Sequence, residues 1–389
     1  MRKKTPRIML ALGWYEHRLH QGIAQYALKA GWHLCADVTR EKVIPWGWQG
    51  DGVLAWLGAD DELARFVMEL KLPTVDFSCR RMELPFARVI VDDNALARLV
   101  ADHFLTRGLK HFMYYSAQDN WAFERHGQSY VNLLGQAGYT CEWIRWHRSK
   151  AYSTGHTQWQ EKRRWLAAEL KKAPKPLALF AATDDHALEI IEVCENIGIR
   201  VPEEVSVVGV DDSLPAVEAM RTPISSIDQN FAMQGYCAAE LLDKLMHGKP
   251  VPPKPVLIFP TGLIGRKSSD LLAVPHPGVA RSMRFMLDHC HEPIGVNDMA
   301  RAASMSLRNF HQAFVDNIGR SPGQELQHLR IERAKKMLTD SNAKMEVIAK
   351  MCGYESANSF WVAFKRLAGI SPKQYQKKFA AALPASELR

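Results

Sequence analysis

An internal repeat in the C-terminal part of the chain constrains the fold more than any other feature of the sequence. Seven positions recur fifty residues further along, namely Ser306, Phe310, Ala313, Phe314, Gly319, Ser321 and Pro322, which are matched by Ser356, Phe360, Ala363, Phe364, Gly369, Ser371 and Pro372. Self-similarity at a fixed period indicates one supersecondary unit used twice. From residue 279 onwards the apolar spacing is wholly helical, so the repeated unit is predicted to consist of helices.

Each repeat is predicted to be a helix, a tight turn and a second helix. Short first helices are predicted at 296–303 and 345–352, and these align at an offset of 49, so the second turn is one residue longer. Ser306 and Ser356 stand where a side chain can cap the helix that follows. Gly353 supplies a residue that can end the helix before it. Apolar residues at helical spacing leave one face of each second helix polar.

The polar face of each second helix carries residue types that bind nucleic acid. After the caps Ser306 and Ser356, they are Arg308, Asn309, His311 and Gln312 in the first repeat and Asn358, Ser359, Trp361, Lys365 and Arg366 in the second. Such side chains hydrogen-bond base edges or neutralise phosphates. Residues 281–389 also hold 17 Arg and Lys against 10 Asp and Glu, which places +7 of the net charge of +8 there. The alternative is a helical bundle with solvated charges, which the repeat disfavours.

The first 270 residues alternate short apolar strands with helices. Eight strands are predicted, beginning at Arg7, Gly52, Pro73, Ala87, Lys110, Leu177, Val205 and Val256. Such strands, separated by helices of ten or more residues, indicate a parallel sheet covered on both faces. The Pro- and Gly-rich stretch 248–278 closes this region. We therefore predict an α/β domain at 1–270, a linker at 271–280 and an all-α domain at 281–389.

Polar side chains follow many of the predicted strands. They are Asp76, Ser78, Asp92, Asp93, Ser116, Thr183, Asp184, Asp211 and Asp212. Because ligands of open α/β sheets bind outside the carboxyl ends of the strands, these side chains predict a pocket for a small polar ligand. The alternative is that each Asp merely caps the helix that follows.

Several other classes of protein are disfavoured. The motifs of phosphate-binding loops, nucleophile elbows, zinc proteases and dinucleotide sites are absent, and a helix start explains Thr183–His186 more simply than acid–base catalysis. The seven cysteines form no Cys-x-x-Cys pair, and His289 and His291 point apart on a helix, so we expect no disulfide, metal or cofactor. No apolar run suits a membrane span or a signal peptide. We expect a cytoplasmic protein that is not an enzyme and does not bind a membrane.

Residues 281–378 resemble the DNA-binding domain of the AraC/XylS transcription regulators. The best-matching stretches begin at Arg330, Val347 and Phe360. This resemblance implies that two helix-turn-helix units, joined by a long helix, insert their second helices into successive major grooves of double-stranded DNA. The base-reading positions that it implies are Arg308, His311 and Gln312 in the first unit and Ala357, Asn358, Trp361 and Val362 in the second. RNA polymerase is a further partner expected of such a regulator.

The first 270 residues resemble the sugar-sensing fold of LacI-type repressors and periplasmic sugar-binding proteins. The matching stretches begin at Val91, Val201 and Ile227. This resemblance implies a monosaccharide in a cleft between two halves of the domain. The sugar-binding residues that it implies are Asp184 and Asp211 as hydroxyl acceptors, Trp14 as an aromatic face and Arg125 as the cleft arginine. One extra residue after Arg125 leaves His126 as the alternative.

The order of the two domains, with the sensor first, resembles regulators of pentose operons. A xylose-like pentose is therefore the implied effector, and a homodimer through residues 1–270 is expected because this sensor fold pairs in its relatives. A sensor that binds a partner protein or a non-sugar metabolite stays open as the alternative. Activation or repression depends on where the DNA site lies relative to RNA polymerase.

Overall fold

The structure is a computed structural model that describes residues 5–41, 43–58, 61–117, 120–146, 155–213, 221–271, 274, 276–340 and 343–379. Its strands are, in chain order, β1 (Arg7–Leu12), β2 (His33–Cys35), β3 (Gly52–Trp56), β4 (Thr74–Asp76), β5 (Ala87–Val91), β6 (His111–Ala117), β7 (Cys141–Trp146), β8 (Leu177–Ala181), β9 (Val205–Val210), β10 (Ser225–Asp228), β11 (Val256–Ile258) and β12 (Gly262–Ile264). All eight predicted strands are present. The strands β2, β7, β10 and β12 are additional to the prediction.

The helices of the first 270 residues are α1 (His17–Ala30), α2 (Asp37–Glu41), α3 (Asp61–Leu70), α4 (Asp93–Leu105), α5 (Trp121–Gln136), α6 (Gly155–Lys172), α7 (Asp184–Asn196), α8 (Phe231–Met246) and the short 3₁₀ helix η1 (Lys267–Ser269). The helices after them are α9 (Pro277–His289), α10 (Val296–Ala303), α11 (Leu307–Ile318), α12 (Pro322–Asp340), α13 (Met345–Met351), α14 (Ala357–Ala368) and α15 (Pro372–Phe379). The predicted order, an α/β region followed by an all-α region, is confirmed.

The first of two compact units is built from Met1–Leu96, Asp119–Ser129 and Asp228–Pro260. Its sheet has the order β11-β5-β4-β3-β1-β2, and every neighbouring pair is parallel. The helices α1 and α8 pack closely through a pair of glycines. A Cβ on Gly22 would lie 1.8 Å from the carbonyl oxygen of Ala232, and one on Gly235 would lie 2.1 Å from that of Leu19. Any side chain at either position would push the two helices apart.

The second unit is built from Ala97–Gln118, Tyr130–Ile227 and Thr261–Arg389. Its sheet has the order β12-β10-β9-β8-β6-β7, and the four pairs of known register are parallel. A buried apolar core joins one face of this sheet to α6 and α7; it includes Tyr115, Leu166, Leu179, Ile190 and Val207. The carboxyl ends of β8, β9 and β10 lie side by side, so the residues that follow these strands come together.

The helical part of the second unit contains two separate apolar cores. The first core includes Met283, Met299, Phe310, Phe314 and Leu326. The second core includes Ile331, Leu338, Ile348, Phe360 and Phe364. The long helix α12 contributes to both cores. Each predicted repeat is therefore an independent packing unit, and α12 connects the two.

The segment between the sheet and the helical part lies partly outside the described residues. Leu272, Ala273 and Pro275 of the predicted linker are not described, whereas Val274 is 8% exposed and belongs to the first helical core. The His276 side chain accepts a hydrogen bond from the Gly278 amide at 3.1 Å and caps α9. The domain boundaries at 270 and 281 stay predictions.

Candidate functional site

The first helix-turn-helix unit consists of α10 and α11. Ser304 ends α10 in the left-handed conformation (φ 56°), at the position that Gly353 occupies in the second unit. The Ser306 side chain accepts a hydrogen bond from the Asn309 amide at 3.4 Å, which confirms the predicted cap. Phe310 and Phe314 are fully buried beneath α11. The turn and the buried face therefore fix which side of α11 faces solvent.

The predicted DNA-reading residues of the first unit lie together on the solvent-facing side of α11. Ser306, Arg308, Asn309, His311 and Gln312 are all exposed. The Gln312 amide donates a hydrogen bond to Asp316 Oδ1 at 2.8 Å, one helical turn further on. This intrahelical bond uses one of the two amide protons of Gln312, so the other proton and the side-chain carbonyl can still bind a base edge.

The second unit, α13 and α14, repeats this geometry. The Ser356 side chain accepts a hydrogen bond from the Ser359 amide at 3.1 Å, so the second predicted cap is also confirmed. Gly353 has a φ of +76°, which allows the tight turn after α13. The predicted residues Asn358, Ser359, Trp361, Lys365 and Arg366 are all exposed on α14.

Three of the exposed side chains on α14 contact a neighbouring residue. The Lys365 ammonium lies 5.0 Å from the centre of the Trp361 ring, which is a cation–π contact. The Arg366 guanidinium donates to the side-chain carbonyl of Gln327 on α12. The Ser359 hydroxyl donates to the Ser356 carbonyl at 2.9 Å. Both basic residues at this end of α14 therefore have a contact within the protein.

A single arginine lies at the junction of the two units. Arg330 Nε donates to the Cys290 carbonyl at 2.9 Å, and its Nη2 donates to the Glu292 carbonyl at 2.7 Å. Its guanidinium carbon lies 5.7 Å from the centre of the Tyr354 ring. Sequence reasoning identifies Arg330 only as the first residue of a stretch that resembles the AraC/XylS regulators, because its partners stand 38 and 40 positions away.

The second of the two compact units contains the sheet β12-β10-β9-β8-β6-β7. The strand ends of this sheet carry a buried carboxylate. Asp184 is 2% exposed, and its two oxygens accept hydrogen bonds from the Ser226 hydroxyl at 2.5 Å and the Ser213 amide at 2.8 Å. Burial raises the pKa of Asp184 to about 7, although both hydrogen bonds act to lower it. Thr183, not Asp184, caps α7, since its side chain accepts from the His186 amide. Asp184 therefore ties β8, β9 and β10 together at their carboxyl ends.

The loop after β9 is strained and anchored. Asp211 and Asp212 have φ values of 105° and 47°, in a region that non-glycine residues adopt rarely. The amide of Asp211 donates to the Ile227 carbonyl at 2.9 Å. Asp212 Oδ1 lies 2.8 Å from the Arg266 guanidinium. Asp211 is half-buried. The predicted acceptor Asp211 is thus held in place by its backbone and by its neighbour.

The first of the two compact units contains the sheet β11-β5-β4-β3-β1-β2. The strand ends of this sheet carry aromatic rings. Trp14, directly after β1, is 40% exposed, and its ring centre lies 4.9 Å from that of Trp56 and 5.7 Å from that of Phe231. Trp121, at the start of α5, lies 6.3 Å from Trp56. Only Trp14 is evident from the sequence, because the other rings are far away along the chain. Together these rings form an apolar wall with one exposed face.

In the same compact unit, the two alternatives for the cleft cation, Arg125 and His126, both contact the carboxylate of Asp93. Arg125 Nη2 lies 2.6 Å from Asp93 Oδ2, and His126 Nε2 lies 3.3 Å from Asp93 Oδ1. The Arg125 side chain is 45% exposed, whereas that of His126 is 5% exposed. Burial lowers the pKa of His126. Arg125 is therefore the member of the pair that can meet a ligand from solvent.

No helix in the described part of the chain is long and apolar enough to cross a membrane. The described residues also bring together no group of three or more His, Cys, Asp or Glu that could hold a metal ion.

Comparisons with known proteins agree with this architecture. Residues 101–269 match the model of a periplasmic binding protein-like domain, and residues 299–378 match that of a helix-turn-helix domain. The chain therefore combines a periplasmic-binding-protein-like domain with a C-terminal helix-turn-helix domain. It is similar to the xylose operon regulatory protein of Escherichia coli (strain K12), at 26% identity over 377 residues, which are 93% of this chain and 94% of that protein. The xylose operon regulatory protein of Haemophilus influenzae is 29% identical over 380 residues, which are 93% and 95% of the two chains.

Solved structures share the fold. The structure of the xylose-binding transcription activator xylR has a TM-score of 0.60 and 24% identity, and the match covers 97% of this chain and 99% of that chain. The transcriptional regulator CelR in complex with cellobiose has a TM-score of 0.55 and 22% identity, with 69% and 85% covered. The predicted fold class is therefore confirmed for both parts of the chain.

Proposed function

We propose that the chain is a cytoplasmic, homodimeric regulator of a sugar-utilisation operon, with a xylose-like pentose as its effector. The observation that carries this proposal is the pair of helix-turn-helix units whose exposed faces present polar and basic residues at equivalent positions. The choice of a pentose as the effector rests on the xylose operon regulatory proteins, which align along 93% of the chain. RNA polymerase is the further partner that such a regulator contacts at its promoter.

In this proposal the two recognition helices bind successive major grooves of double-stranded DNA. The N-terminal half of α11 offers Arg308, Asn309, His311 and Gln312 to the base edges, because helix-turn-helix proteins direct this part of the second helix into the groove. On α14, Asn358, Ser359 and Trp361 occupy the corresponding turn. Lys365 and Arg366 lie further along the helix, where the phosphate backbone is the nearer contact.

The proposed sugar-binding residues are Trp14, Arg125, Asp184 and Asp211. Trp14 offers an exposed aromatic face, and Arg125 offers a half-exposed guanidinium held by Asp93. Asp211 offers a carboxylate on a strained loop, which is the kind of backbone that a ligand site retains at a cost to stability. Asp184 already accepts two internal hydrogen bonds, so its proposed role includes holding that loop.

Calorimetry with a panel of pentoses and hexoses tests the sensor. We expect a pentose to bind the full chain, and we expect Asp211→Asn to weaken binding by about 1–3 kcal/mol, the range for a lost hydrogen bond to a charged group. Asn is preferred to Ala here because it tolerates a positive φ. Asp185→Asn is the matched control, since Asp185 is exposed at the start of α7. No heat with any sugar would favour a protein or a non-sugar metabolite as the effector.

Selection from a pool of random-sequence DNA duplexes tests the DNA-binding function. The full chain should enrich a two-part site, and its affinity should fall steeply as salt rises because bound phosphates release counterions. Sedimentation at micromolar concentration tests the dimer. A monomer in the presence and absence of both sugar and DNA would overturn the dimer but not the DNA-binding function.

A further inference from the structure

Among the described residues, the two helix-turn-helix units pack into two separate apolar cores. The last residue of α12 that packs against the first core is Leu329, and the first that belongs to the second core is Ile331. Arg330 lies between them. Two apolar cores joined by one helix can bend relative to each other unless further contacts fix their angle. The junction at Arg330 is therefore the position where such a contact matters most.

Arg330 contacts both units with one side chain. Its Nε and Nη2 donate to the carbonyls of Cys290 and Glu292, which follow α9, a helix that packs in the same apolar core as the first unit. Its guanidinium lies over the ring of Tyr354, which belongs to the turn of the second unit. Arginine suits this position because its planar group offers several donors in a fixed geometry and also stacks on an aromatic ring.

The turn of the second unit lies against the same carbonyls. A Cβ on Gly353 would lie 2.6 Å from the Cys290 oxygen, 2.9 Å from the Glu292 oxygen and 2.8 Å from Arg330 Nε. Real Cβ atoms do not approach other atoms this closely, so a side chain here would separate the turn from the end of α9. Gly353 thus has a packing role at the junction in addition to its left-handed backbone.

We propose that Arg330, seated against Gly353, fixes the distance and angle between the recognition helices α11 and α14, and so makes the protein recognise its two DNA subsites at one spacing only. This inference rests on the proposed two-groove DNA binding. One added base pair shifts the second subsite by about 3.4 Å and rotates it by roughly 35°. A rigid pair of helices cannot follow such a change, whereas a hinged pair can.

The test uses the full chain and the two-part site that the wild type selects from random duplexes. Affinity is measured on that site and on versions with one or two base pairs added or removed between its halves. The wild type should lose at least roughly tenfold per base pair, since displacing a helix costs no less than a mismatched base pair. Arg330→Lys and Gly353→Ala should bind the best site more weakly but lose less than about threefold when the spacing changes.

Two matched controls separate this role from charge and strain. Arg333→Lys makes the same chemical change at a residue whose Nε donates to the Met351 carbonyl, inside the second unit. Gly369→Ala imposes the same backbone strain, because Gly369 also has a φ of +76°, but a Cβ there meets no atom within 4 Å. Both controls should keep the spacing dependence of the wild type. Retained spacing dependence in Arg330→Lys and Gly353→Ala would overturn the proposal.

A distance measurement tests the proposal in the absence of DNA. Spin labels on unnatural amino acids at positions 309 and 358 report the distance between the two exposed recognition faces in the full chain. The wild type and both controls should give one narrow distribution, and Arg330→Lys and Gly353→Ala a broad one. If no DNA site is ever selected, the proposed DNA-binding function fails while this distribution still tests Arg330. Narrow distributions in both junction variants would overturn the inference.

Discussion

The hydroxyl of Ser226 lies 2.5 Å from Oδ1 of Asp184, although the two residues are 42 positions apart. The other carboxylate oxygen accepts from the Ser213 amide at 2.8 Å. Despite these bonds, burial raises the pKa of Asp184 to about 7, because removal from water penalises the charged form more than two donors stabilise it. The carboxyl group is therefore partly protonated near neutral pH.

The first prediction is a dependence of stability on pH. The pKa of Asp184 is about 7 in the folded chain and 3.8 for the free side chain, so between these values the folded state binds more protons than the unfolded state. The contribution of this group is fully present below pH 3.8 and is lost as the pH rises through 7. We expect Asp184→Asn to gain stability relative to wild type by up to about 1.4 kcal/mol per pH unit in that window.

Urea unfolding of wild type and Asp184→Asn between pH 5 and 8 measures this difference. The exposed neighbour variant Asp185→Asn serves as the control and should give a curve parallel to wild type. Parallel curves for Asp184→Asn and wild type would show that Asp184 is ionised in the folded state across the whole range.

The second prediction separates base reading from phosphate contact. Arg308 is exposed two residues after the cap Ser306, where an arginine can bind O6 and N7 of guanine. Arg308→Ala should cost about 1–3 kcal/mol on the selected site and relax preference at one base pair. Lys365→Ala should weaken all sequences alike and reduce the salt slope by about one. Equal losses for Arg308→Ala on the selected site and on random DNA would make Arg308 a phosphate contact.

The third prediction concerns the independence of the helical part. A fragment of residues 271–389 should fold and show salt-dependent DNA binding without the sensor. A fragment of residues 276–389 should be less stable by about 1–2 kcal/mol, because it keeps the cap His276 but lacks Val274, which is buried in the first helical core. Thermal unfolding of both fragments measures the difference. A folded longer fragment that ignores DNA would refute the assignment of the DNA-binding surface.

The fourth prediction distinguishes Arg125 from His126. Arg125→Gln should weaken sugar binding by about 1–3 kcal/mol with little change in the thermal midpoint, since its side chain is 45% exposed. His126→Gln should lower the thermal midpoint instead, because that side chain is buried against Asp93. Calorimetry and thermal unfolding of the two variants, compared side by side, decide between them. The opposite pattern would assign the sugar contact to His126.

The sequence predicts the repeated helices well because their signals are local. Ser306 and Ser356 cap helices that begin one residue later, and Gly353 ends a turn that its neighbours define. Long apolar strands such as β8 and β9 are predicted from the sequence equally well. The strands β2 and β7 were harder to predict, because each lies at the edge of its sheet and buries few side chains.

What the sequence could not predict are contacts between distant positions. Asp184 is recognisable as a polar residue after a strand, but its partner Ser226 lies inside a short strand that has no strong pattern. Arg330 is one of several basic residues on a helix, and nothing in its neighbourhood along the chain points to Cys290. Periodicity identifies which face of an element is buried, but not which atoms meet across the fold.

The order in which the strands of the first compact unit are synthesised has a consequence for the folding of the nascent chain. Val89, Ile90 and Val91 of β5 pair with Val256, Leu257 and Ile258 of β11, so this sheet lacks an edge strand until residue 258 has left the ribosome. At 5–20 residues per second, the interval between the two strands lasts roughly ten to thirty seconds. During that time β5 presents unpaired backbone groups, which favour association with other chains. Nascent chains should therefore depend on chaperones most while residues 92–258 are being made.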